Sequence, residues 1–182
     1  NHCHYLDITG EIAVFEAGYN LNSRAKSEGI IICPGVGFDV IPTDCLAAKL
    51  HEAMPDANYL TLAFESTAGK LSPGTTKTSI EGIAKGGRVR CNGKIIDVPL
   101  GYKSRKVDLG NGSRSMVTIP WGDVATAGYS TGIANIEVYI PLSPKKIKKL
   151  RWLNSFKWLL GSGVVQNFMK RKVDTKVKGP TE

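Results

Sequence analysis

The chain has 182 residues, of which 42 % are apolar and 22 % charged, an ordinary globular balance that excludes a wholly disordered protein. It is long enough for one domain with a full core, or for a small domain with part of another; no apolar run reaches the roughly 18 residues of a membrane span, and no signal-peptide pattern is visible. The net charge of +8 is uneven: residues 143–182 carry 11 Lys/Arg against 2 acids, a net of +9, and the preceding 142 residues carry 13 against 14, a net of −1, which argues against a uniformly basic nucleic-acid surface.

The chain starts on Asn1 rather than Met and enters strand-like sequence at once, so a cut or processed N-terminus is expected. Residues 3–8 read as a short strand. Residues 11–26 read as a helix with Ile12, Phe15 and Tyr19 on one face, stopped by Gly29. The apolar run Ile30-Ile31-Ile32-Cys33 suits a parallel strand covered on both faces. A glycine-rich turn follows, Pro34-Gly35-Val36-Gly37-Phe38-Asp39. Pro42 then stands near the start of a helix in which Leu46, Leu50 and Ala53 repeat at helical spacing, ended by Pro55. This β-α-β-α order favours a parallel α/β layer.

The character changes near Asn58. Residues 59–65 alternate as a strand, and Ser72-Pro73 opens a helix with Ser as N-cap and Ile80 and Ile83 on one face. Asn92-Gly93 joins strand-like residues 88–91 to 94–98, and Asn111-Gly112 joins 106–109 to 113–119. Asn-Gly between such runs signals a hairpin, because both turn residues need positive φ. Residues 136–140 form a further strand. Ser143-Pro144 starts a helix with Ile147, Leu150, Asn154 and Trp158 on one face; Gly161 and Gly163 interrupt it, residues 164–172 resume it, and 172–182 read as an extended tail. The expected class is α/β plus α+β. It comprises the C-terminal part of a Rossmann-like parallel sheet over residues 1–55, a mixed, largely antiparallel sheet domain with helices for substrate or dimerisation over 56–142, and a basic helical segment and tail over 143–182.

Cys3, Cys33, Cys45 and Cys91 form no C-x-x-C pair and stand in apolar surroundings. They read as buried free thiols of a cytoplasmic protein, with a disulfide left open. His2-Cys3-His4 makes a poor metal site, because strand alternation turns Cys3 away from the two histidines.

Several strings resemble the saccharopine dehydrogenase-like oxidoreductases, in order along the chain. His4-Tyr5-Leu6-Asp7-Ile8-Thr9-Gly10-Glu11 resembles a late strand of that family's nucleotide domain, and residues 34–44, from Pro34-Gly35-Val36-Gly37-Phe38-Asp39 to Thr43-Asp44, resemble its next strand-to-helix turn. Glu81-Gly82, Val98-Pro99-Leu100-Gly101, Ile119-Pro120-Trp121-Gly122-Asp123-Val124, Tyr129-Ser130-Thr131-Gly132 and Asn135-Ile136-Glu137-Val138-Tyr139 continue the series. The resemblance covers residues 4–140 and points to an uncharacterised branch related to trans-acting enoyl reductases. It implies hydride transfer between NADP or NAD and an unidentified small substrate, and a homodimer. It also implies that the strand, glycine-rich phosphate loop and helix with which members begin match nothing here, and that members continue beyond Gly179-Pro180-Thr181-Glu182. Both ends are therefore expected to be truncated, and the chain alone to be inactive and to bind the cofactor weakly, since pyrophosphate is normally held by that loop and helix N-terminus.

Ligands of parallel sheets bind at the strand ends. Two such ends are polar here, so the candidate cofactor residues are Asp7, Thr9, Gly10 and Glu11, and Gly35, Gly37, Phe38 and Asp39; the resemblance places the second turn at the nicotinamide end. Glycine lets backbone approach a ring and Phe38 can pack on it. Asp39, Asp44 and Glu11 have a competing structural role, bracing or opening the adjacent helices. Gly35-x-Gly37 lacks the third glycine of a dinucleotide fingerprint, Val40 standing there. Gly128-Tyr129-Ser130-Thr131-Gly132 fits the hydrolase elbow G-x-S-x-G, but His2, His4 and His51 all precede Ser130, against that class's order. A substrate-facing loop bearing Tyr129 and Ser130 is the better reading, with Trp121 and Asp123 joining it, although Trp121 serves equally as a core anchor. The basic tail is either a solvated helix whose lysine stems cover apolar surface or a docking element for an anionic membrane or an acidic partner, with Trp152, Phe156 and Trp158 among the lysines.

Overall fold

The computed structural model describes residues 2–65, 73–110 and 112–176. Ser72, Asn111 and residues 177–182, on which a helix cap, a turn and most of the tail were expected, lie outside them. The protein is mixed α/β, with a small parallel sheet, a larger antiparallel one and helices. It divides into two compact units: Asn1–Leu62, Arg88–Ile96 and Pro120–Val138 form the first, and Ala63–Gly87, Asp97–Ile119 and Tyr139–Glu182 the second.

In the first unit, β1 (Tyr5–Leu6) pairs in parallel with β2 (Ile32–Cys33), Tyr5 opposite Ile32 and Leu6 opposite Cys33. The expected helix over 11–26 is two helices, α1 (Ile12–Asn20) and α2 (Asn22–Ser27). The break falls at Leu21, whose N–H reaches the Gly18 carbonyl at 3.1 Å in a tightened turn. Gly29, at φ 63°, ends α2 as glycine does at a left-handed position. The Ile30–Cys33 run is shorter than expected as a strand and is not covered on both faces, since Ile31 and Cys33 are exposed. With only two paired strands, no layer encloses it. For the same reason Cys3 and Cys33 are exposed rather than buried; Cys45 is also exposed, on the outer face of α3, and all four cysteines are free thiols.

Helix α3 (Ile41–Ala53) follows, with Pro42 in its first turn. Its Leu46 and Leu50 face outward, contrary to their apolar spacing, and Ala47 is the residue fully enclosed. The cause is its neighbour, α5 (Asp123–Thr131), a helix rich in Ala and Gly that lets two backbones approach over small side chains. That helix occupies the segment read as a loop. Its short sequence carries no apolar stripe beyond Val124, Ala125 and Ala127, and it ends at Gly132 with φ 72°.

Strand β3 (Tyr59–Ala63) alternates exposed and buried as its sequence predicts. It pairs with β8 (Asn135–Pro141), and so does β4 (Gly87–Cys91), antiparallel with Arg90 opposite Ile136. The Asn92-Gly93 hairpin to β5 (Lys94–Val98) forms as expected, with φ of 48° and 79° at the two turn residues. Asn135 fixes this edge: its Oδ1 accepts the Asn92 N–H at 3.0 Å and its Nδ2 donates to the Asn58 carbonyl at 3.0 Å.

In the second unit, β6 (Ser104–Asp108) and β7 (Ser113–Ile119) form an antiparallel hairpin with Asp108 opposite Ser113. At the end of β6 the Asp108 carboxylate accepts the Gly110 and Gly112 N–H groups at 2.8 and 3.1 Å. The Leu142 N–H continues the pairing onto Ser115 O at 3.0 Å. Met116, Val117 and Tyr139 are fully enclosed, and the Arg105 guanidinium lies 4.8 Å from the centroid of the Tyr139 ring.

Helix α4 (Pro73–Lys85) packs on α7 (Lys157–Leu160) and α8 (Gly163–Lys176). Lys170 Nζ meets Glu81 at 2.5 Å and holds that carboxyl below its usual range. Helix α6 (Pro144–Trp152) buries Ile147 but stops at Trp152, where a tight 3-10 turn (Leu153–Phe156) begins. Asn154 and Trp158 therefore do not extend its buried face. Asn154 instead clasps the Leu100 peptide, accepting its N–H at 2.8 Å and donating to its carbonyl at 3.1 Å, while Trp158 is exposed. The stretch expected to be extended from residue 172 is helical to Lys176.

Candidate functional site

The twelve candidate residues all belong to the first unit, where they fall into two clusters and one isolated carboxyl. The first cluster is at the ends of β1 and β2. Asp7 Oδ1 accepts the Thr9 N–H at 2.9 Å and the Gly35 N–H at 2.8 Å, and the Asp7 carbonyl accepts the Val36 N–H at 2.8 Å. The Tyr5 hydroxyl donates to the other carboxylate oxygen. Partial desolvation pushes this carboxyl up, but the Tyr5 hydroxyl and the Thr9 and Gly35 amides outweigh it and hold its pKa below the ordinary value. Asp7 is thus the staple between the two strand tips.

Glycines let the two tips close. Gly35 has φ 75°, and a Cβ there would lie 2.7 Å from Phe15 Cε1 and 3.0 Å from the Thr9 carbonyl. A Cβ on Gly37 would lie 3.0 Å from the Ile8 Cβ, so the second turn rests directly on the end of the first strand. Gly10 faces Asp39 and the Trp121 ring, 3.7 and 3.8 Å from its Cβ position, and the Trp121 indole N–H donates to the Asp39 carbonyl at 2.8 Å. Thr9 Oγ1 accepts the Glu11 N–H at 3.2 Å; Glu11 is the exposed residue preceding α1 and makes no side-chain cap. Phe38 is 87 % exposed. Asp7, Thr9, Gly10, Gly35, Gly37, Asp39 and Trp121 are thereby brought together into an open shelf with Phe38 at its rim.

The second cluster is on the last turns of α5, a helix rather than the expected loop. The Tyr129 hydroxyl donates to Glu16 of α1, and the Tyr129 ring stacks on Tyr19 with centroids 3.8 Å apart and planes 2° from parallel. Burial, then the Glu16 carboxylate, push the Tyr129 phenol up to about 12, so it stays protonated and serves as a hydrogen-bond donor. Ser130 Oγ donates to Asp44 at 3.0 Å, so Asp44 braces α3 against α5, and the serine has no histidine partner and no strand-to-helix elbow. Arg90 lies across this helix: Nε donates to the Val124 carbonyl at 3.0 Å and Nη1 to the Gly93 carbonyl at 2.8 Å. A side chain at residue 128 would occupy the guanidinium's place. Arg90, Glu16 and Tyr19 were missed from the sequence; the Arg90 signal was a lone arginine opposite a helical glycine, which has no short-range signature.

Asp123 stands apart from both. It opens α5, is fully enclosed, and neither carboxylate oxygen has a hydrogen-bond partner of ordinary geometry. Burial pushes its pKa up to about 6; the nearby Thr43 hydroxyl pulls it down, and the Asp44 charge adds to the rise. A buried carboxyl poised near neutrality has the proton affinity of a general acid or base, although its side chain faces no solvent in this conformation.

His2 and His4 are engaged with the α2–β2 connection, His2 near the Glu28 carbonyl and His4 accepting the Ile31 N–H at 3.0 Å. The second unit has an open groove of about 320 Å³ beside Arg114, Ser115, Leu142 and Lys146, where Arg114 is already paired with Glu65. No helix among the described residues is long and apolar enough to cross a membrane. Compared with protein-family models and with curated proteins, the chain matches none.

Proposed function

We propose that this chain carries the nicotinamide-side edge of an NAD(P)-dependent oxidoreductase of the saccharopine dehydrogenase-like kind, with β1 and β2 as strands of a Rossmann-like sheet. The observation that supports this reading is the parallel pairing of β1 and β2 with both polar turns at the same end, stapled by Asp7. Ligands of parallel sheets bind at that end. The shelf of Thr9, Gly10, Gly35, Gly37, Phe38 and Asp39 offers close backbone approach and one exposed ring, with the Thr9 and Gly35 N–H groups already taken by Asp7, which suits a flat heterocycle better than a phosphate. When bound, the nicotinamide supplies the hydride. Phe38 packs against the ring, Thr9 and Asp39 orient the amide, and Tyr129 and Ser130 border the substrate.

The test is NMR titration of the 182-residue chain with reduced nicotinamide mononucleotide and with NADPH. The reading expects amide shifts concentrated at Thr9, Gly10 and Gly35 to Asp39. It also expects affinities no better than about millimolar for both, because no glycine-rich phosphate loop is present in the sequence to add pyrophosphate binding. Shifts scattered elsewhere with those amides still, or micromolar NADPH affinity, would sink it.

A further inference from the structure

We propose that helices α6 to α8, with the 3-10 turn between α6 and α7, form a docking surface for an anionic phospholipid bilayer. This inference rests on the second unit alone and is independent of the oxidoreductase reading. Helix α6 turns Ile147 inward; Lys145, Lys148, Lys149 and Trp152 recur at i, i+3, i+4 and i+7, on the opposite side, all exposed. None of these three lysines, nor Lys146, has an ion-pair or hydrogen-bond partner among the described residues. Large apolar side chains follow directly. Trp152 is 61 % exposed and touches Phe156, the ring centroids 4.6 Å apart, and Trp158 is 76 % exposed. In α8, Val173 is buried while Val164 and Phe168, one turn apart, are 82 % and 59 % exposed.

Charge alone would suit any polyanion. The aromatic and aliphatic side chains decide for a bilayer, because a nucleic acid or an acidic peptide gives no account of a solvent-exposed Val164 in the same run of helices as the exposed Trp152 and Trp158. Tryptophan belongs at the boundary between headgroups and acyl chains, and lysines reach the lipid phosphates from the same helix face. No described helix can cross the membrane, so the element lies on it. The net +9 of residues 143–182 matches the sign of an anionic leaflet.

The test is co-sedimentation of the full chain with vesicles of phosphatidylcholine, alone and with roughly one third phosphatidylserine, combined with quenching of tryptophan fluorescence by brominated acyl chains. The expected result is binding to the anionic vesicles only, weakened roughly tenfold or more by high salt, with quenching that disappears in Trp152→Ala/Trp158→Ala. Reversing Lys145, Lys148 and Lys149 to Glu should weaken binding roughly a hundredfold. Equal pelleting with neutral vesicles, no pelleting, binding without quenching, or tighter binding to a DNA oligonucleotide or polyglutamate than to the vesicles would each overturn the proposal. Far-UV circular dichroism reports whether the variants fold; if one does not, the lipid, salt and quenching behaviour of the unaltered chain decides.

Discussion

The Gly35 amide is held by the Asp7 carboxylate at 2.8 Å, twenty-eight residues away in sequence, and together with the Val36 N–H on the Asp7 carbonyl this bond fixes how the first two strand tips meet. Replacing Asp7 by Ala leaves the Thr9 and Gly35 amides without their acceptor. Urea unfolding should show a loss of about 1–3 kcal/mol, and amide exchange at Gly35 should accelerate more than at Ile12 or Phe15.

The same carboxyl gives a pH signature. Its folded pKa lies below its unfolded value, so its stabilisation is present above the unfolded pKa and is lost as pH falls through the folded one. The Thr9 and Gly35 amide resonances should therefore move together on acidification, with a midpoint below the ordinary aspartate value of 3.8. A midpoint above it would show that desolvation, not the hydrogen bonds, governs Asp7.

Asp123 has the opposite sign. Its folded pKa of about 6 exceeds the ordinary 3.8, so the folded state holds the proton more tightly, and this group's contribution to stability declines as pH rises from about 4 through about 6. Asp123→Asn should flatten that slope and raise stability at pH 7 by about 1–3 kcal/mol. If Asp123 also transfers a proton in a reaction, the variant will be both more stable and less active, a pairing that a purely structural carboxyl does not produce.

Arg90 and Gly128 should show a change of sign in a double-mutant cycle. Alone, Gly128→Ala displaces the guanidinium from the Val124 and Gly93 carbonyls and should cost about 1–3 kcal/mol. In an Arg90→Ala background the space is free, and the same change should stabilise by about 0.5–1 kcal/mol through helix propensity. Equal effects in both backgrounds would mean that Arg90 moves aside at no cost.

In the second unit, Asn154→Ala removes both hydrogen bonds to the Leu100 peptide. Thermal unfolding should register a loss of about 1–3 kcal/mol, whereas Trp158→Ala, at an exposed ring, should stay within about 0.5 kcal/mol.

Local chemistry was legible wherever it acts alone. The Asn92-Gly93 turn, the stop at Gly29, the alternation of β3 and the Pro starts of α3 and α6 follow from backbone preferences of one or two residues. The parallel pairing of β1 with β2 was legible from the β-α-β order. What escaped depended on partners distant in sequence. Leu46 and Leu50 repeat like a buried stripe, yet α3 is packed through Ala47 because α5 presents small residues to it. Helix α5 itself hides among Gly and Ala with no amphipathic signature, which turned Tyr129 and Ser130 from loop residues into helical ones. Trp158 continues the α6 period on paper, but the helix yields to a tighter turn after Trp152, and the period loses its meaning there.

The Phe15 ring fills the space that side chains on both Gly35 and Gly122 would need, the latter's Cβ position being 2.6 Å from Phe15 Cε2. Three chain segments are therefore keyed to one phenyl ring, and none can be enlarged without evicting it. Trimming residue 15 to Leu or Val would leave a void that both glycines are powerless to fill, so the α1, β2 and α5 junction should melt as a single cooperative block rather than fray piece by piece.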